Sequence, residues 1–223
     1  MFRDRAEAGE ALAEAVARAA PPDPVVLALP RGGVPPGAQV ARRLGAELDL
    51  LLVRKIGLPG HDELAAGALV DGDPPTILFN DEVLRASGLK GSDFDARIAA
   101  LRAEIARRRA LYLKDRAPVP LAGRTAILVD DGVATGATVR TAIRALRARV
   151  PGPDAIWVAV PVAPRDTLHQ LEAEADRVIC LEVPDPFWAV GAHYRAFPQV
   201  GDGEVIAALD SARPAAKGGR GAR

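Results

Sequence analysis

Two adjacent aspartates, Asp130 and Asp131, are the residues of this sequence with the clearest chemical potential. They follow the apolar run Ile127-Leu128-Val129, which is typical of a buried strand. The residues after them are Gly132, Val133, Ala134, Thr135, Gly136, Ala137 and Thr138, and a helical pattern begins directly afterwards. Such a loop directs backbone N–H groups at an anion beside a helix N-terminus, and its small side chains let a phosphate approach the main chain.

Two carboxylates beside an anion pocket would repel a ligand that carried only negative charge. They suit a ligand that also presents hydroxyl groups or a divalent cation. A ribose 5-phosphate meets this demand, with its phosphate in the loop and its 2′ and 3′ hydroxyls on Asp130 and Asp131. No lysine follows Gly136, so the loop differs from the P-loop of nucleotide triphosphatases.

Residues 127–139 closely resemble the motif of type I phosphoribosyltransferases that binds phosphoribosyl pyrophosphate (PRPP), in which apolar residues lead into two acidic residues and a T-G-x-T ending. The resemblance implies the type I phosphoribosyltransferase fold, an α/β fold whose central, mainly parallel sheet is flanked by helices. It also implies that the loop binds PRPP with Mg²⁺ and that Asp130 and Asp131 contact the metal. A generic strand–turn–helix junction is the alternative interpretation of these residues.

A second loop could bind the pyrophosphate. Arg31, Gly32 and Gly33 come directly after an apolar run and open a helical pattern, so their N–H groups would point outward at the carboxyl edge of a sheet. Arginine pairs with phosphate oxygens through two parallel hydrogen bonds. The turn resembles the pyrophosphate loop of the same family, which implies that these three residues bind PRPP.

Two cations, Arg54 and Lys55, stand at the end of the next apolar run, before a segment that contains glycine and proline. They resemble the R-K element and mobile loop of adenine and related phosphoribosyltransferases. The resemblance implies that Arg54 and Lys55, with Arg31, stabilise the departing pyrophosphate, and that residues 57–68 close over the site. A solvated charge pair is the alternative, and His61 is interpreted as a surface loop residue.

The C-terminal segment, residues 182–194, resembles the P-D-x-F…V-G…Y stretch with which hypoxanthine-type members hold a purine. Phe187 or Trp188 would then form the aromatic lid of an acceptor pocket. A small hydrophobic core beneath a C-terminal hood explains them equally well. Family members of the hypoxanthine–guanine type have an aspartate at the position of Ala134, whereas alanine matches the adenine type. His193 replaces an acidic residue that often contributes to metal binding, so the acceptor and a second metal site stay open.

The elements that must position these loops follow from hydrophobic periodicity. Apolar runs predict five strands, at residues 25–29, 48–53, 125–129, 155–160 and 177–181. Amphipathic patterns predict helices at residues 4–19, 34–44, 139–149 and 166–175. Strands that alternate with helices in this way predict a parallel sheet.

Residues 76–118 interrupt the alternation and are predicted to be a helical insertion. Apolar residues recur there on one helical stripe, and Arg102, Glu104 and Arg109 lie on the opposite face. The predicted organisation is a single domain over residues 1–212, with a hood at 184–203 and a disordered tail at 213–223 that has no apolar residue larger than alanine or proline.

Composition limits the class of protein. Among 223 residues, 29 Lys and Arg balance 29 Asp and Glu, so no overall positive field favours nucleic acid or an anionic membrane. The single cysteine, Cys180, lies in an apolar run, where an inert buried thiol is expected and no internal disulfide can form. No apolar stretch is long enough to span a membrane. We therefore expect a soluble, cytoplasmic protein without nucleic-acid partners, and a homodimer is left open.

Three hypotheses for function follow. The first is Mg²⁺-dependent transfer of the phosphoribosyl group from PRPP to a small nitrogen nucleophile, a nucleobase above all, with release of pyrophosphate, as in purine salvage. The second is a regulator on the same fold that senses PRPP or nucleotides. The third, an enzyme of another class, lacks a recognisable set of catalytic residues.

Overall fold

The computed structural model describes residues 1–59, 61–72, 74–114 and 116–212, without the side chains of residues 61–63. Its strands are β1 (Pro24–Ala28), β2 (Glu47–Leu50), β3 (Val53–Leu58), β4 (His61–Val70), β5 (Thr76–Phe79), β6 (Thr125–Val129), β7 (Ala155–Val162) and β8 (Arg177–Glu182). Its helices are α1 (Arg5–Ala19), α2 (Val34–Leu44), α3 (Asp81–Ser87), α4 (Asp95–Leu113), α5 (Ala137–Arg147), α6 (Arg165–Glu172) and α7 (Asp202–Ser211). The predicted tail, residues 213–223, lies outside the described residues.

A five-stranded parallel sheet in the order β2-β1-β6-β7-β8 forms the centre of the fold. All five predicted strands contribute to it, which confirms the predicted α/β class with a parallel sheet flanked by helices. Side chains alternate between the two faces: Val26 packs in a cluster with α1, α2 and α7, whereas Val25 and Leu27 pack in a cluster with α5 and α6. Helix α7 was not predicted from the sequence.

A second sheet, antiparallel and in the order β3-β4-β5, replaces two predicted features. The predicted strand at 48–53 in fact ends at Leu50, and the chain starts a new strand at Val53. Residues 57–68, predicted to be a mobile loop, belong mostly to the β3–β4 hairpin. The reason is burial, since Ile56 and Leu69 pack on Phe94 in a separate cluster of the core. The predicted helical insertion therefore includes a strand, β5.

Helix α4 covers this small sheet with its predicted apolar stripe, and Arg109 on its other face pairs with two buried acids. Arg109 donates from Nη2 to Asp49 Oδ1 at 3.1 Å, and its Nη1 donates to Asp71. Both carboxylates are only 5% exposed, and buried carboxylates require a counter-charge. The sequence placed Arg109 on the face opposite the apolar stripe but did not reveal this pairing, because the two acids lie far away in sequence. Across the described ranges, no helix has the length and apolarity needed to cross a membrane.

Candidate functional site

The two predicted phosphate-binding loops lie side by side because β1 and β6 are neighbours in the sheet. The N–H of Leu29, at the end of β1, donates to the carbonyl oxygen of Val129 at 2.9 Å. A Cβ added to Gly33 would lie 2.4 Å from that same oxygen, and a Cβ on Gly32 would lie 2.2 Å from Asp131 Oδ2. The pyrophosphate-type loop thus packs directly onto the aspartate pair, and only glycine fits at either position.

Replacing Gly33 by alanine should therefore destabilise the fold, because the atoms that the new methyl group meets belong to the backbone at the ends of two central strands. We expect Gly33→Ala to lower the free energy of unfolding by about 2 kcal/mol, as other overpacked sites do. Gly203→Ala is the control, since its Cβ would meet nothing within 4 Å. Chemical denaturation measures both variants, and equal stabilities would contradict the close approach.

The loop between β6 and α5 encloses a cavity of about 140 Å³. Its lining residues are Asp130, Gly132, Val133, Ala134, Thr135, Gly136, Ala137, Thr138 and Val139. A liquid water occupies about 30 Å³, so the cavity admits an ion with the size of phosphate. Two bonds hold the loop in place: Thr167 Oγ1 donates to the Ala134 carbonyl at 2.6 Å, and the Val133 N–H donates to the Val162 carbonyl at 2.9 Å. The N-terminus of α5 faces this cavity.

The two aspartates have different surroundings. Asp130 lines the phosphate-sized cavity, and its Oδ1 accepts the N–H of Asp131 at 2.9 Å. Asp131 is 9% exposed and does not line the cavity; instead, its Oδ2 accepts a hydrogen bond from Arg5 Nε at 2.7 Å. Of the two predicted acids, Asp130 therefore lines the cavity of the predicted phosphate loop and Asp131 does not. The ion pair with Arg5 holds the carboxylate of Asp131 away from this cavity.

Burial raises the pKa of both carboxyls, and it raises the pKa of Asp130 well above the ordinary value. The negative charge of Asp131 raises the pKa of Asp130 further, whereas Arg5 counteracts the rise at Asp131. A cation bound beside the two buried carboxyl groups would favour their ionised form and so lower their pKa. Among the described residues, no group of three or more His, Cys, Asp or Glu is placed to hold a metal, so protein ligands at this pair would need to be completed by the substrate or by water.

Sequence reasoning missed the residues that enclose Asp131. Arg5 also donates from Nη1 to the Pro198 carbonyl at 2.6 Å, and its guanidinium lies 3.7 Å from the centre of the Phe197 ring. The hydroxyl of Tyr194 donates to the Asp131 carbonyl. No spacing in the sequence connects the first helix with residue 131. The available signals were the arginine at the start of that helix and Tyr194 at the end of the P-D-x-F…V-G…Y stretch.

The predicted cation pair is divided between the two faces of β3. Lys55 lines a cavity of about 600 Å³ between the small sheet and α5, together with Thr138 of the phosphate loop. Arg54 points to the other face, where its Nε donates to Glu104 Oε1 of α4 at 3.0 Å. Successive side chains of a strand alternate, so the two cations cannot act on one ligand. The structure does not bring Arg54 to the predicted site.

The side chain of Arg31, in the pyrophosphate-type loop after β1, remains available to a ligand. Its side chain is half-buried, and Nη1 lies 3.6 Å from Asp202 Oδ1 at the start of α7. The Tyr112 hydroxyl donates to the same oxygen at 2.6 Å. Because the Arg31–Asp202 pair is long and Asp202 is shared, an incoming phosphate would compete well for the guanidinium.

The hood lies over the aspartate loop, but its two predicted acceptor residues differ in exposure. Phe187 is half-buried and stacks on His193 with ring centres 5.3 Å apart, whereas Trp188 is 81% exposed. The hood contacts the aspartate loop through Val190, whose side chain would lie 2.4 Å from a Cβ placed on Gly132. Phe187 thus contributes to a small core beneath the hood, and Trp188 keeps a free aromatic face.

Known proteins resemble this chain in sequence and in fold. The sequence profile of a family described as phosphoribosyl transferase domain matches residues 5–196. Two proteins of Mycobacterium tuberculosis, from strains CDC 1551 and H37Rv, are each 43% identical over 212 residues and are named provisionally as phosphoribosyl transferases. The match covers 95% of this chain and 47% of each relative, so the chain spans about half the length of these curated relatives.

A solved structure is similar over almost its whole length. The crystal structure of the protein TT1426 from Thermus thermophilus superposes with a TM-score of 0.78 at 44% sequence identity, covering 93% of this chain and 97% of that chain.

Proposed function

The chain belongs to the phosphoribosyl transferase domain family, and from this premise we propose that it transfers the phosphoribosyl group of PRPP to a nucleobase and releases pyrophosphate. One observation carries the proposal: two loops that suit phosphates meet at one edge of the sheet, with Asp130 between them. A ligand that spans both loops must carry an anionic group at each end and hydroxyl groups between them. PRPP has this chemistry.

Mg²⁺ fits the residues at this edge. Asp130 presents a carboxyl group to the cavity; burial raises its pKa and the charge of Asp131 raises it further, and a bound cation would offset both effects. Proteins commonly hold Mg²⁺ through one or two carboxylates together with substrate phosphates. When bound, the ion would neutralise charge on the pyrophosphate.

The residues of the chain have separate tasks in this reaction. The N–H groups at the start of α5, with the Thr135 and Thr138 hydroxyls, bind the 5′-phosphate. Arg31, from the loop after β1, and Lys55, from strand β3, stabilise the charge that develops on the pyrophosphate as the bond to the anomeric carbon breaks. Glycosyl transfer has an oxocarbenium-like transition state, so fixing both ends of the donor favours the departure of pyrophosphate.

The acceptor should be a planar base that stacks on the hood. Trp188 of the hood offers an exposed aromatic face, and stacking on an aromatic ring contributes about 1–3 kcal/mol to the binding of a nucleobase. A purine presents the larger ring face of the two nucleobase classes, which makes a purine-salvage reaction the specific form of this proposal.

Lys55 tests the assignment because Arg54, one residue earlier, provides a matched control. With PRPP, Mg²⁺ and a panel of purine and pyrimidine bases, we expect pyrophosphate release by the wild-type protein, and a kcat/KM about tenfold lower for Lys55→Met, which corresponds to about 1.4 kcal/mol. Arg54→Met should keep the wild-type kcat/KM, since Arg54 pairs with Glu104 on the other face.

If the wild-type protein releases no pyrophosphate with any base of the panel, the proposed transfer is contradicted. An equal loss of activity in both variants would instead contradict the separation of the two cations.

A further inference from the structure

The cavity between the small sheet and α5 is much larger than the part of it that the proposed reaction uses. Its volume of about 600 Å³ lies within the range of about 300–1,000 Å³ that is typical of small-molecule sites. Ala137 and Thr138 line both this cavity and the phosphate-sized cavity, so the two spaces adjoin. The larger cavity continues along α5 to Arg144, and a helix advances about 10 Å between Ala137 and that residue.

One wall of this cavity is apolar and suits a flat ring. Each strand of the small sheet contributes one side chain to the wall, namely Val53, Ala68 and Leu78. Ala65 and Gly67 extend the wall with almost no side chain, which leaves room beside the sheet. Apolar surface with a few polar groups around it is the usual lining of a small-molecule site.

The same cavity presents exposed charges of both signs. Lys55 and Arg85 line it, and neither makes an ion pair within the described ranges of the chain. Asp81 and Glu82 line it as well, and in those ranges they have no cationic partner. Cations of this kind pair with a phosphate, whereas carboxylates accept hydrogen bonds from hydroxyl or amino groups. The matching ligand therefore has an anionic group, hydrogen-bond donors and a planar ring.

We propose that this cavity is a second ligand site, which binds a nucleoside monophosphate and opposes the binding of PRPP. The phosphate of the nucleotide pairs with Lys55 and Arg85, and its base lies against the apolar wall. Hydroxyl groups of the ribose or an amino group of the base donate to Asp81 and Glu82. The proposal rests on the proposed function only for PRPP as the opposed ligand, because the cavity and its charges do not depend on the reaction.

Lys55 connects the two sites. The proposed function assigns it to the pyrophosphate of PRPP, and one ammonium group cannot fully neutralise two phosphate groups at once. A nucleotide that pairs with Lys55 therefore weakens PRPP binding, and by linkage PRPP weakens nucleotide binding by the same factor. Since a nucleoside monophosphate is the product of the proposed reaction, this second site would make the accumulated product an inhibitor.

Calorimetry with AMP, GMP and UMP tests the second site. Asp130→Asn is the background, because the donor site of the wild-type protein would bind the same nucleotides as products. We expect this variant to bind at least one of the three, and Arg85→Ala in the same background to raise the Kd about tenfold, since a charged contact to the phosphate is lost. Arg102→Ala should leave the Kd unchanged, because Arg102 is an exposed residue of α4, across the small sheet from the cavity.

The coupling is measured on proteins that retain Asp130. The Kd for PRPP with Mg²⁺ should rise as nucleotide is added, and Arg85→Ala should need about tenfold more nucleotide for the same rise while its Kd for PRPP alone stays at the wild-type value.

The proposal is overturned if none of the three nucleotides binds the Asp130→Asn protein, or if Arg85→Ala and Arg102→Ala have equal effects. It is also overturned if nucleotide affects PRPP binding equally in the wild type and in Arg85→Ala. If the nucleotides bind as expected but the wild-type protein binds no PRPP, the proposed function fails and the second site stands.

Discussion

Asp130→Asn should lose PRPP affinity and gain stability at the same time. Without its carboxylate, the cavity has no charged group for the metal or for the ribose hydroxyls, and we expect the Kd for PRPP with Mg²⁺ to rise on the order of 100-fold, about 2.7 kcal/mol. Calorimetry at neutral pH measures this loss. The remaining loop contacts to the 5′-phosphate should persist, because they come from the main chain and from the hydroxyls of Thr135 and Thr138.

The gain in stability follows from the sign of the pKa shift. A carboxyl whose pKa is higher in the folded state than in the unfolded state binds its proton more tightly when folded, so its ionised form opposes folding above that pKa. Each unit of such a rise corresponds to about 1.4 kcal/mol. Asparagine cannot ionise, so Tm in the absence of Mg²⁺ should increase, as expected for a residue kept for function.

Asp154→Asn is the matched control, because it makes the same chemical change at an exposed position before β7. It should alter neither the Kd nor Tm. A variant at Asp130 that binds PRPP with wild-type affinity would refute the site, and a lowered Tm would refute the assignment of excess negative charge.

Arg109→Leu should have the largest effect on stability. Arg109 is the counter-charge of Asp49 in β2 and of Asp71 after β4. Its removal therefore takes the Arg109 ion pair away from two buried carboxylates. Breaking a buried ion pair by removing one partner costs about 3–5 kcal/mol. Burial already raises the pKa of Asp71, and without Arg109 this pKa should rise further. The deficit should therefore shrink as pH falls, since protonation removes the unpaired charge.

Arg102→Leu provides the comparison on the same helix, because Arg102 is exposed. Surface substitutions of this kind change the free energy of unfolding by less than about 0.5 kcal/mol. Urea titrations at neutral and acidic pH measure both variants. The free energy of unfolding could fall no further in Arg109→Leu than in Arg102→Leu, or its loss in Arg109→Leu could grow as pH falls. Either result would show that the buried charges are not balanced through Arg109.

The parts of the site that were predicted from sequence are those encoded locally. Residues 130–138 and 31–33 each combine a strand end, small residues and a helix start, and a parallel sheet brings the carboxyl ends of its strands to one edge. Their meeting therefore followed from the alternation of strands and helices. The conclusion that Gly32 and Gly33 must lack side chains required coordinates, because the obstructing atoms belong to the other loop.

The features that were not predicted from the sequence depend on contacts between side chains that are far apart in the chain. Arg5 and Asp131 are 126 positions apart, and Arg109 and Asp49 are 60 apart, so no periodic pattern relates them. The division of Arg54 from Lys55 was different in kind. Alternation along a strand would have predicted it, but residues 57–68 resembled a loop, and β3 was merged with the preceding strand.

The hood is bound to the beginning of the chain as well as to the aspartate loop. The backbone of Phe2 donates to His193 and accepts from Arg195, each at 2.9 Å, next to the contacts that Arg5 makes with residues 197 and 198. During synthesis on the ribosome, the first helix and most of the parallel sheet emerge well before these partners. The part of the hood that encloses Asp131 is therefore made only after β8.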